Sequence, residues 1–467
     1  MPTEEQFSPL IGFRQAAYGC LGAARDALFE LADAVLLTPS ATSFAELSLC
    51  PAFRRGWPSV YEALQDGRPD REGLLHLYVS QMPDEDRPLL VGDHTPWPRF
   101  SAQTLRDRTC VHQTTKISGN KPITLGHDYS TIAWMAPDEG GRALPLLHER
   151  IPSEQTPIEK GAAQLRSVCA PLKGRPLSLW DSEYGCASFL HATADIEADK
   201  MMRVRPNRCL YGPPPPYSGR GRPAEHGAKF KLAEPATWPE PVETLIDLDD
   251  KVGPVQVHRW DDLHFKKAAP YPVTLIRIER LEAQDTRRDP KVIWLAWQGH
   301  PPPPLEQWWH QYGRRWPIEP WYHLAKSRLY WTLPRLKTPE QSQRWSDLMP
   351  LLTWQIWLAR PLITDTPLPW QKPQPHPTPQ RVLQGMGALL TQIGTPPQRP
   401  KPRGKSPGWP KGRPRRSAPR YKVVKNPLER SLSNAQARKT SRAKRSTRFH
   451  TRTARRSLPS ISLNTNI

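Results

Sequence analysis

The spacing of hydrophobic and polar positions separates the chain into a helical N-terminal part and a strand-rich part that follows it. Residues 13–37 carry Ala and Leu at helical intervals, and shorter helical patterns continue to residue 82. These patterns predict an N-terminal helical domain over residues 1–82. Two short predicted helices flank a tight connection at residues 50–58, which fits a helix-turn-helix that reads a major groove and fits an ordinary packing module equally well.

Short apolar runs bounded by turn residues begin near Arg87 and predict β-strands. The predicted strands cover residues 88–93, 123–135, 142–148, 177–181 and 201–205, with a helix at residues 158–172 between the third and the fourth. Strands and helices in this order indicate an α/β domain. We place the first part of this domain at residues 83–210.

Two unbroken proline runs, at residues 213–216 and 301–304, bracket a segment with three more strand-like runs. These runs show short apolar stretches separated by polar turns, which is typical of β-structure. The economical interpretation is a β-rich insertion over residues 211–304 that interrupts the α/β domain.

Helical periodicity returns at residues 305–330 and again at 339–359, so we place the second part of the α/β domain at residues 305–365. Residues 366–467 are rich in proline and then in basic residues, a composition that predicts a disordered tail. The formal net charge of the chain is +21, and residues 401–467 hold 20 Lys and Arg against one acid. We expect this basic segment to bind DNA without sequence preference, although such charge runs also serve merely as solubilising tails.

The remaining composition argues against several classes of protein. The six cysteines form no CxxC pair, which speaks against a zinc ribbon or a disulfide framework. The N-terminus lacks the basic-then-apolar pattern of a signal peptide. The most apolar stretch, residues 348–363, is interrupted by Pro350 and Arg360 and is shorter than the roughly 20 residues that a membrane span needs. We therefore expect a soluble, cytoplasmic protein without a membrane segment.

Two aspartates end predicted strands, Asp93 at the first strand and Asp181 at the fourth. The carboxyl ends of strands are where an α/β sheet presents its ligands, and two carboxylates there can share a divalent metal ion. Taken singly, each aspartate is more often only the first residue of a turn. The pair is therefore a candidate metal site that needs a third group.

A third candidate element carries Tyr312, Arg315, Glu319 and Lys326. Their offsets of 3, 7 and 14 residues place all four side chains within about 60° of arc on a continuous helix. Such a face suits phosphate chemistry, with Glu319 as a metal ligand and Arg315 and Lys326 on phosphate oxygens. The alternative is a solvated helix face with one Arg/Glu pair.

The spacing Tyr-x2-Arg-x3-Glu-x6-Lys resembles the Y-R-E-K signature of bacterial insertion-sequence transposases in the DDE superfamily. Asp93, the Asp181-x-x-Tyr184 block and a β-rich insertion ahead of the glutamate also follow the order of that family. The resemblance covers most of the chain. Pro317 and Pro320 flank Glu319, and because proline is tolerated only in a first helical turn, they indicate that the helix restarts there.

The resemblance implies an RNase H-like catalytic domain in which Asp93, Asp181 and Glu319 bind two Mg²⁺ ions, with Mn²⁺ as a possible substitute. Tyr312, Arg315 and Lys326 would then contact the DNA end. The expected partners are double-stranded DNA, as terminal inverted repeats and as target, and a second copy of the chain in a homodimer on two paired ends. The expected location is the bacterial cytoplasm, at the nucleoid.

The resemblance predicts a cut-and-paste DNA transposase that cuts element ends and joins the freed 3′-OH to target DNA. One alternative is a catalytically inactive DNA-binding protein derived from a transposase. A second alternative is an RNase H-like metal nuclease that acts on RNA, which would share the three carboxylates and leave the Tyr-Arg-Glu-Lys face without a role.

Three further sets of residues carry weaker DNA-binding hypotheses. Arg220 and Arg222 lie in a Gly-Arg-Gly-Arg-Pro sequence that resembles the core of an AT-hook, although a polar glycine loop has the same composition. Trp294 and Trp297 could stack on an extruded base, as a tryptophan of the insertion does in relatives, but alternating tryptophans in a strand are more often core residues.

The N-terminal region carries the third hypothesis, which is recognition of the element ends. Arg54 and Arg55 lie between two short predicted helices and would contact phosphate, while residues 59–65 would face the bases.

Overall fold

The computed structural model describes residues 4–424, apart from residues 113–122, 138–141, 251, 287–289, 375, 402–407, 409 and 415–416. The N-terminal region is helical, as predicted. Its helices are α1 (Glu4–Cys20), α2 (Arg25–Leu37), α3 (Pro58–Asp66) and α4 (Arg71–Val79), with a 3-10 helix at Phe44–Leu49. Helix α4 begins where Asp70 accepts a hydrogen bond from the Gly73 amide at 3.0 Å, because a carboxylate there satisfies an amide that has no partner within the helix.

In the described residues of the α/β part there are six strands and two helices. They are β1 (Leu89–Pro98), β2 (Thr109–His112), β3 (Ile123–Met135), β4 (Ala143–Ile151), α5 (Pro157–Cys169), β5 (Leu177–Trp180), α6 (Ala187–Ala192) and β6 (Asp199–Val204). Strand β1 pairs antiparallel with β3 and parallel with β5, β4 pairs with the far side of β3, and β6 continues the sheet beside β5. The resulting order β4-β3-β1-β5-β6 is consistent with the expected RNase H-like fold.

The β-rich segment extends this same sheet. Its strands are β7 (Cys209–Tyr211), β8 (Lys229–Lys231), β9 (Glu243–Asp249), β10 (Gly253–Phe265), β11 (Val273–Arg280) and β12 (Val292–Gln298), with a 3-10 turn at Pro235–Thr237. Strand β12 pairs antiparallel with β6, and β11 and β10 follow it. A sheet of twelve strands results. The segment is thus β-rich as predicted, and it is joined edge to edge with the α/β part.

The helices after the β-rich segment differ from the sequence prediction in one respect. They are a 3-10 turn (Leu305–Gln307), α7 (Trp308–Gly313), α8 (Ile318–Ser327), α9 (Pro339–Ala359) and a 3-10 turn (Arg360–Leu362). The continuous helical face expected over residues 305–330 is therefore wrong. Pro317 has no amide hydrogen and precedes the first residue of α8, and Pro320 falls in the first turn, so the helix ends and restarts as the two prolines indicate.

The prediction of disorder throughout residues 366–467 is also wrong, because residues Pro379–Ile393 form helix α10. Val382, Met386, Leu389 and Leu390 are buried, and their spacing places all four on one face of a helix. Farther along, the Tyr421 and Val424 amides donate to the carbonyls of Gln103 and Arg108. Most of the basic segment expected to bind DNA, from residue 425 onward, lies outside the described residues.

Helix α9 links the N-terminal helices to the sheet. Trp354 is fully buried, and its indole nitrogen donates to the Pro145 carbonyl of β4 at 2.9 Å. The other side of α9 meets α1, where the buried Arg14 side chain binds Asp33 of α2 at 2.8 and 2.9 Å and also binds Gln355. In the described part of the chain, no helix is long and apolar enough to cross a membrane.

Replacement of Asp33 by Ala should strongly destabilise the fold, because it leaves the Arg14 charge buried without its carboxylate. We expect the free energy of unfolding to fall by about 3 to 5 kcal/mol, measured by chemical denaturation. The matched control is Asp84→Ala, which removes the partner of Lys173 in an ion pair about 80% exposed on both sides and should cost at most about 0.5 kcal/mol. Equal losses in the two variants would contradict this account.

Candidate active site

Asp93 lies on the central strand β1 and faces the helices that follow the β-rich segment. The preceding residues Leu90 and Val91 are fully buried, and they fix the strand in the middle of the sheet. Gly92 is required because a Cβ atom there would overlap the ring of Trp180, the last residue of β5. Gly92 and Trp180 directly precede Asp93 and Asp181, so β1 and β5 are in close contact next to both candidate aspartates.

Asp181 is the neighbour of Asp93 across the parallel pair. Gly92 and Trp180 are register partners, and each is followed by an aspartate. At ordinary strand spacing the backbones of these two aspartates lie about 4.8 Å apart. The Asp181 carboxylate accepts the Glu183 amide at 2.9 Å, and the Asp93 carboxylate accepts the His94 amide at 2.8 Å. Asp181 directly follows β5. The prediction that Asp93 ends a strand is wrong, because β1 stays paired with β3 as far as Pro98 after its pairing with β5 stops at Gly92.

One guanidinium joins Asp93 to Glu319. Arg315 lies in the connection between α7 and α8, its side chain is 15% exposed, and its Nη1 atom donates to Asp93 Oδ2 at 3.1 Å. Its Nη2 atom donates to Glu319 Oε1 at 3.3 Å. Arg315 thus contacts both carboxylates, although the continuous helix expected to carry Arg315 and Glu319 is broken between them.

The pKa shifts in this cluster arise from burial and from carboxylates that lie close to one another. Burial raises the pKa of Asp93, and the negative charge of Asp181 raises it further against the opposing effect of Arg315. Burial alone would lower the pKa of Arg315, but Tyr312, Asp93 and the other nearby acids raise it above its ordinary value. The site therefore stabilises a positive charge between its carboxylates.

Lys326 and Tyr312 border the same site. Lys326 Nζ donates to Thr95 Oγ1 at 2.6 Å, and Thr95 follows Asp93 by two residues on the same face of β1. Burial lowers the pKa of Lys326, with the carboxylates of Asp128 and Asp93 acting in the opposite direction. Tyr312, from α7, lines a cleft of about 400 Å³ that also contains Arg315 and Glu319.

The carboxylates suit a hard divalent cation in chemical type, since Mg²⁺ takes oxygen ligands and often only one or two carboxylates. Among the residues that the structure describes, however, no three His, Cys, Asp or Glu side chains are grouped closely enough to hold a metal ion. The Arg315 guanidinium lies between two of the three predicted ligands. The metal site consequently remains a prediction.

The two tryptophans that were predicted to contact DNA are buried in the core. Trp294 and Trp297 are only 3% and 2% exposed. Trp294 packs in an aromatic cluster with Trp238 and Trp260, and Trp297 packs against Trp308. The structure thus favours the core interpretation of both tryptophans, because no base can reach their rings as they stand.

The arginines outside the site have varied partners. Arg220 and Arg222 are exposed in the loop after β7, where Arg222 pairs with Glu225, and their role as an AT-hook stays a prediction. Arg54 and Arg55 both pair with the buried Glu30 of α2.

Arg54 also binds the Pro397 carbonyl at 2.8 Å. Both N-terminal arginines are thus part of the contact that holds the segment after α10, and their contact with phosphate remains a prediction.

Sequence reasoning missed a charged group directly behind the site. His94, on the opposite face of β1 from Asp93, has its Nε2 atom 3.7 Å from a carboxylate oxygen of Asp128 and of Glu183. Burial opposes protonation, but these carboxylates raise the pKa of His94 to about 9. The sequence shows a histidine next to Asp93, whereas the approach of Asp128 depends on the pairing of β1 with β3.

Comparison with known proteins bears on this arrangement. A family model described as DDE superfamily endonuclease matches residues 17–262, just over half of the chain. The matched range includes Asp93 and Asp181 and ends before Glu319. No curated protein matches the chain.

His148 should make stability depend on pH. It is buried on β4 beside Thr131, and burial lowers its pKa to about 3, whereas an unfolded histidine has a pKa of about 6.5. Between these values only the unfolded chain binds the proton, so this contribution is complete above pH ~6.5 and falls by about 1.4 kcal/mol per pH unit below it.

His148→Phe removes this titration and keeps a ring in place. From pH 6 to pH 4, the wild type should therefore lose about 2 to 3 kcal/mol more than the variant in denaturant unfolding. If the free energy of unfolding of the two proteins falls equally between pH 6 and pH 4, His148 is not held neutral by burial.

Proposed function

Because the chain belongs to the DDE superfamily endonuclease family, we propose that it is a DNA transposase, which cuts the ends of an insertion sequence and joins the freed 3′-OH to target DNA. The observation that carries the proposal is that Arg315 binds both Asp93 of β1 and Glu319 of α8, while Asp181 follows β5 as the neighbour of Asp93. The family suggests DNA as the substrate. The Tyr-Arg-Glu-Lys spacing supports the assignment to insertion-sequence enzymes.

Asp93, Asp181 and Glu319 would hold the divalent ions. Bound there, two such ions would supply Lewis acidity and an activated water for cleavage of a phosphodiester. Glu319 is 47% exposed and lines a cleft, whereas the Asp93 side chain is 14% exposed, so a DNA strand would approach the site from the side of Glu319. Two copies of the chain would act on two paired ends.

Arg315 and Lys326 would bind the phosphates of the DNA end. A guanidinium has five N–H donors, and Arg315 binds Asp93 and Glu319 with one each and also hydrogen-bonds Tyr312. Its other donors would bind a phosphate. Lys326 is held by Thr95 on the same face of β1, and Tyr312 lines the cleft beside it. Cations in this position stabilise both the bound strand and the charge that develops during cleavage.

Replacing Asp93, Asp181 or Glu319 by Ala should abolish cleavage of duplex that carries the element ends, in the presence of Mg²⁺. The affinity for that duplex should change less than about threefold, since binding depends on cations elsewhere. Asp195→Ala is the matched control, because this carboxylate is 64% exposed and pairs with Arg166 on the surface.

The outcomes separate the alternatives. Cleavage that survives in the triad variants argues against the proposed site. Cutting of RNA alone identifies a metal nuclease, and specific binding of ends without any cutting identifies an inactive DNA-binding derivative.

Arg315→Ala should increase the affinity of the DNA-free protein for Mn²⁺, because it removes a cation that competes for two of the carboxylates. The expected gain is about tenfold, in keeping with the loss of charge-assisted hydrogen bonds. Calorimetric titration measures it. Arg203→Ala, in the same cleft, is the control and should bind Mn²⁺ as the wild type does. An unchanged affinity in Arg315→Ala would mean that the guanidinium does not compete with the metal.

A further inference from the structure

A second cleft of about 400 Å³ opens beside β4, away from the cleft that contains Tyr312 and Glu319. Seven charged side chains line it, and five of them are cations: Arg68, Arg71, Arg150, Lys160 and Arg344, with the acids Glu149 and Glu340. Residues from α4, β4, α5 and α9 thus converge on one basic concavity.

Strand pairing relates the position of this cleft to that of the candidate active site. Asp93 is the register partner of Thr131, and Thr131 is the partner of His148. Glu149 and Arg150 directly follow His148. Thr131 and His148 are buried, and Trp321 and Trp331 pack on the His148 ring, so the cleft beside β4 is separated from Asp93 by packed core.

Three of the five cations already have carboxylate partners. Arg71 binds Asp347 at 2.9 Å, Lys160 binds Glu149 at 2.6 Å, and Arg150 pairs with Asp107. These pairs fix the walls of the cleft. They leave little free charge of their own, so the basic character depends on the other two arginines.

Arg68 and Arg344 bind only main-chain carbonyls among the described residues. Arg68 donates through Nη1 to the carbonyls of residues 65–67, and Arg344 donates through Nη1 to those of residues 64 and 65. In both side chains Nε and Nη2 remain, and this pair of donors is the one that grips a phosphate in bidentate fashion.

Two further features favour an anion in the cleft. The pKa of Arg344 is lowered by burial and by the positive charge of Arg68, so like charges are crowded there. The first residues of α4 and α9, Arg71 and Pro339, also line the cleft. Helix N-termini add partial positive charge at this point.

We propose that this cleft binds a phosphodiester of the DNA on which the protein acts, with Arg68 and Arg344 as the groups that hold the phosphate. The inference rests on the proposed function, because it takes DNA as the substrate. It adds a phosphate contact outside the candidate active site, beside β4.

The first test compares the full-length chain with its Arg68→Gln/Arg344→Gln double variant in binding to end-containing duplex without divalent metal, over a series of salt concentrations. The variant should bind about tenfold more weakly at moderate salt, and the slope of log K against log[salt] should become shallower by about 1 to 2, for one or two phosphates lost. Ethylation interference should lose its signal at one or two phosphates and keep it elsewhere, including at the cleavage site.

A second variant tests the cleft without touching the two arginines. Glu340 is 53% exposed and pairs with Arg106 at the rim, so Glu340→Gln removes a negative charge and leaves the walls in place. It should bind the duplex more tightly, by about two- to threefold, because one repulsion with phosphate is gone. The matched control is Glu197→Gln, whose carboxylate is 88% exposed beside Arg175 and should change nothing.

The outcomes distinguish this inference from the proposed function. If the wild type binds and cuts duplex while the double variant and Glu340→Gln bind like the wild type, only the inference about the second cleft is overturned. If the wild type neither binds nor cuts duplex, both fail. Should the double variant not fold, Glu340→Gln decides alone: tighter binding supports the cleft, and unchanged binding overturns the inference.

Discussion

The contact of Arg315 with Asp93 is the interaction on which the candidate site depends, because it joins two parts of the chain that are 222 residues apart. Asp93 and Asp181 come from adjacent strands and meet through sheet register alone. Glu319 has no such relation to them. It reaches the site because Arg315 is charged, is shielded from water and can bind carboxylates on both sides. Strand pairing therefore places the two aspartates side by side, and the ionic contacts of Arg315 connect Asp93 to Glu319.

The position of Arg315 depends in turn on the β-rich segment. The chain leaves the α/β sheet after β6 and returns to it as β12, the antiparallel neighbour of β6. Helices α7 and α8 follow within 30 residues of that return. Since only β5 and β6 lie between β12 and β1 in the sheet, the helices that follow β12 reach the face of β1 that carries Asp93. The segment is thus a spacer within the sheet, and its strands also form one wall of the cleft.

Local sequence signals predicted the elements that depend on local physics. The bounds of β3 and α9 agree with the sequence prediction, because Pro122 and Pro137 flank β3 and α9 begins with Thr338 as cap and Pro339 in the first turn. Asp93 lies inside β1 and not at its end, because pairing with β3 extends that strand to Pro98. Helix α10 was missed because proline-rich flanks hide its apolar face. The Asp128 partner of His94 was missed because strand register cannot be derived from either segment alone.

On the proposed function, the distribution of charge would let a body with almost no net charge bind a polyanion. Residues 1–400 hold 46 basic and 44 acidic residues. Arg315 binds Asp93 and Glu319, whereas Arg68 and Arg344 lie in the second cleft and bind main-chain carbonyls. An acidic centre repels phosphate unless a cation neutralises it, whereas arginines outside that centre attract phosphate. Affinity for DNA and the chemistry of cleavage would then depend on different residues of the chain.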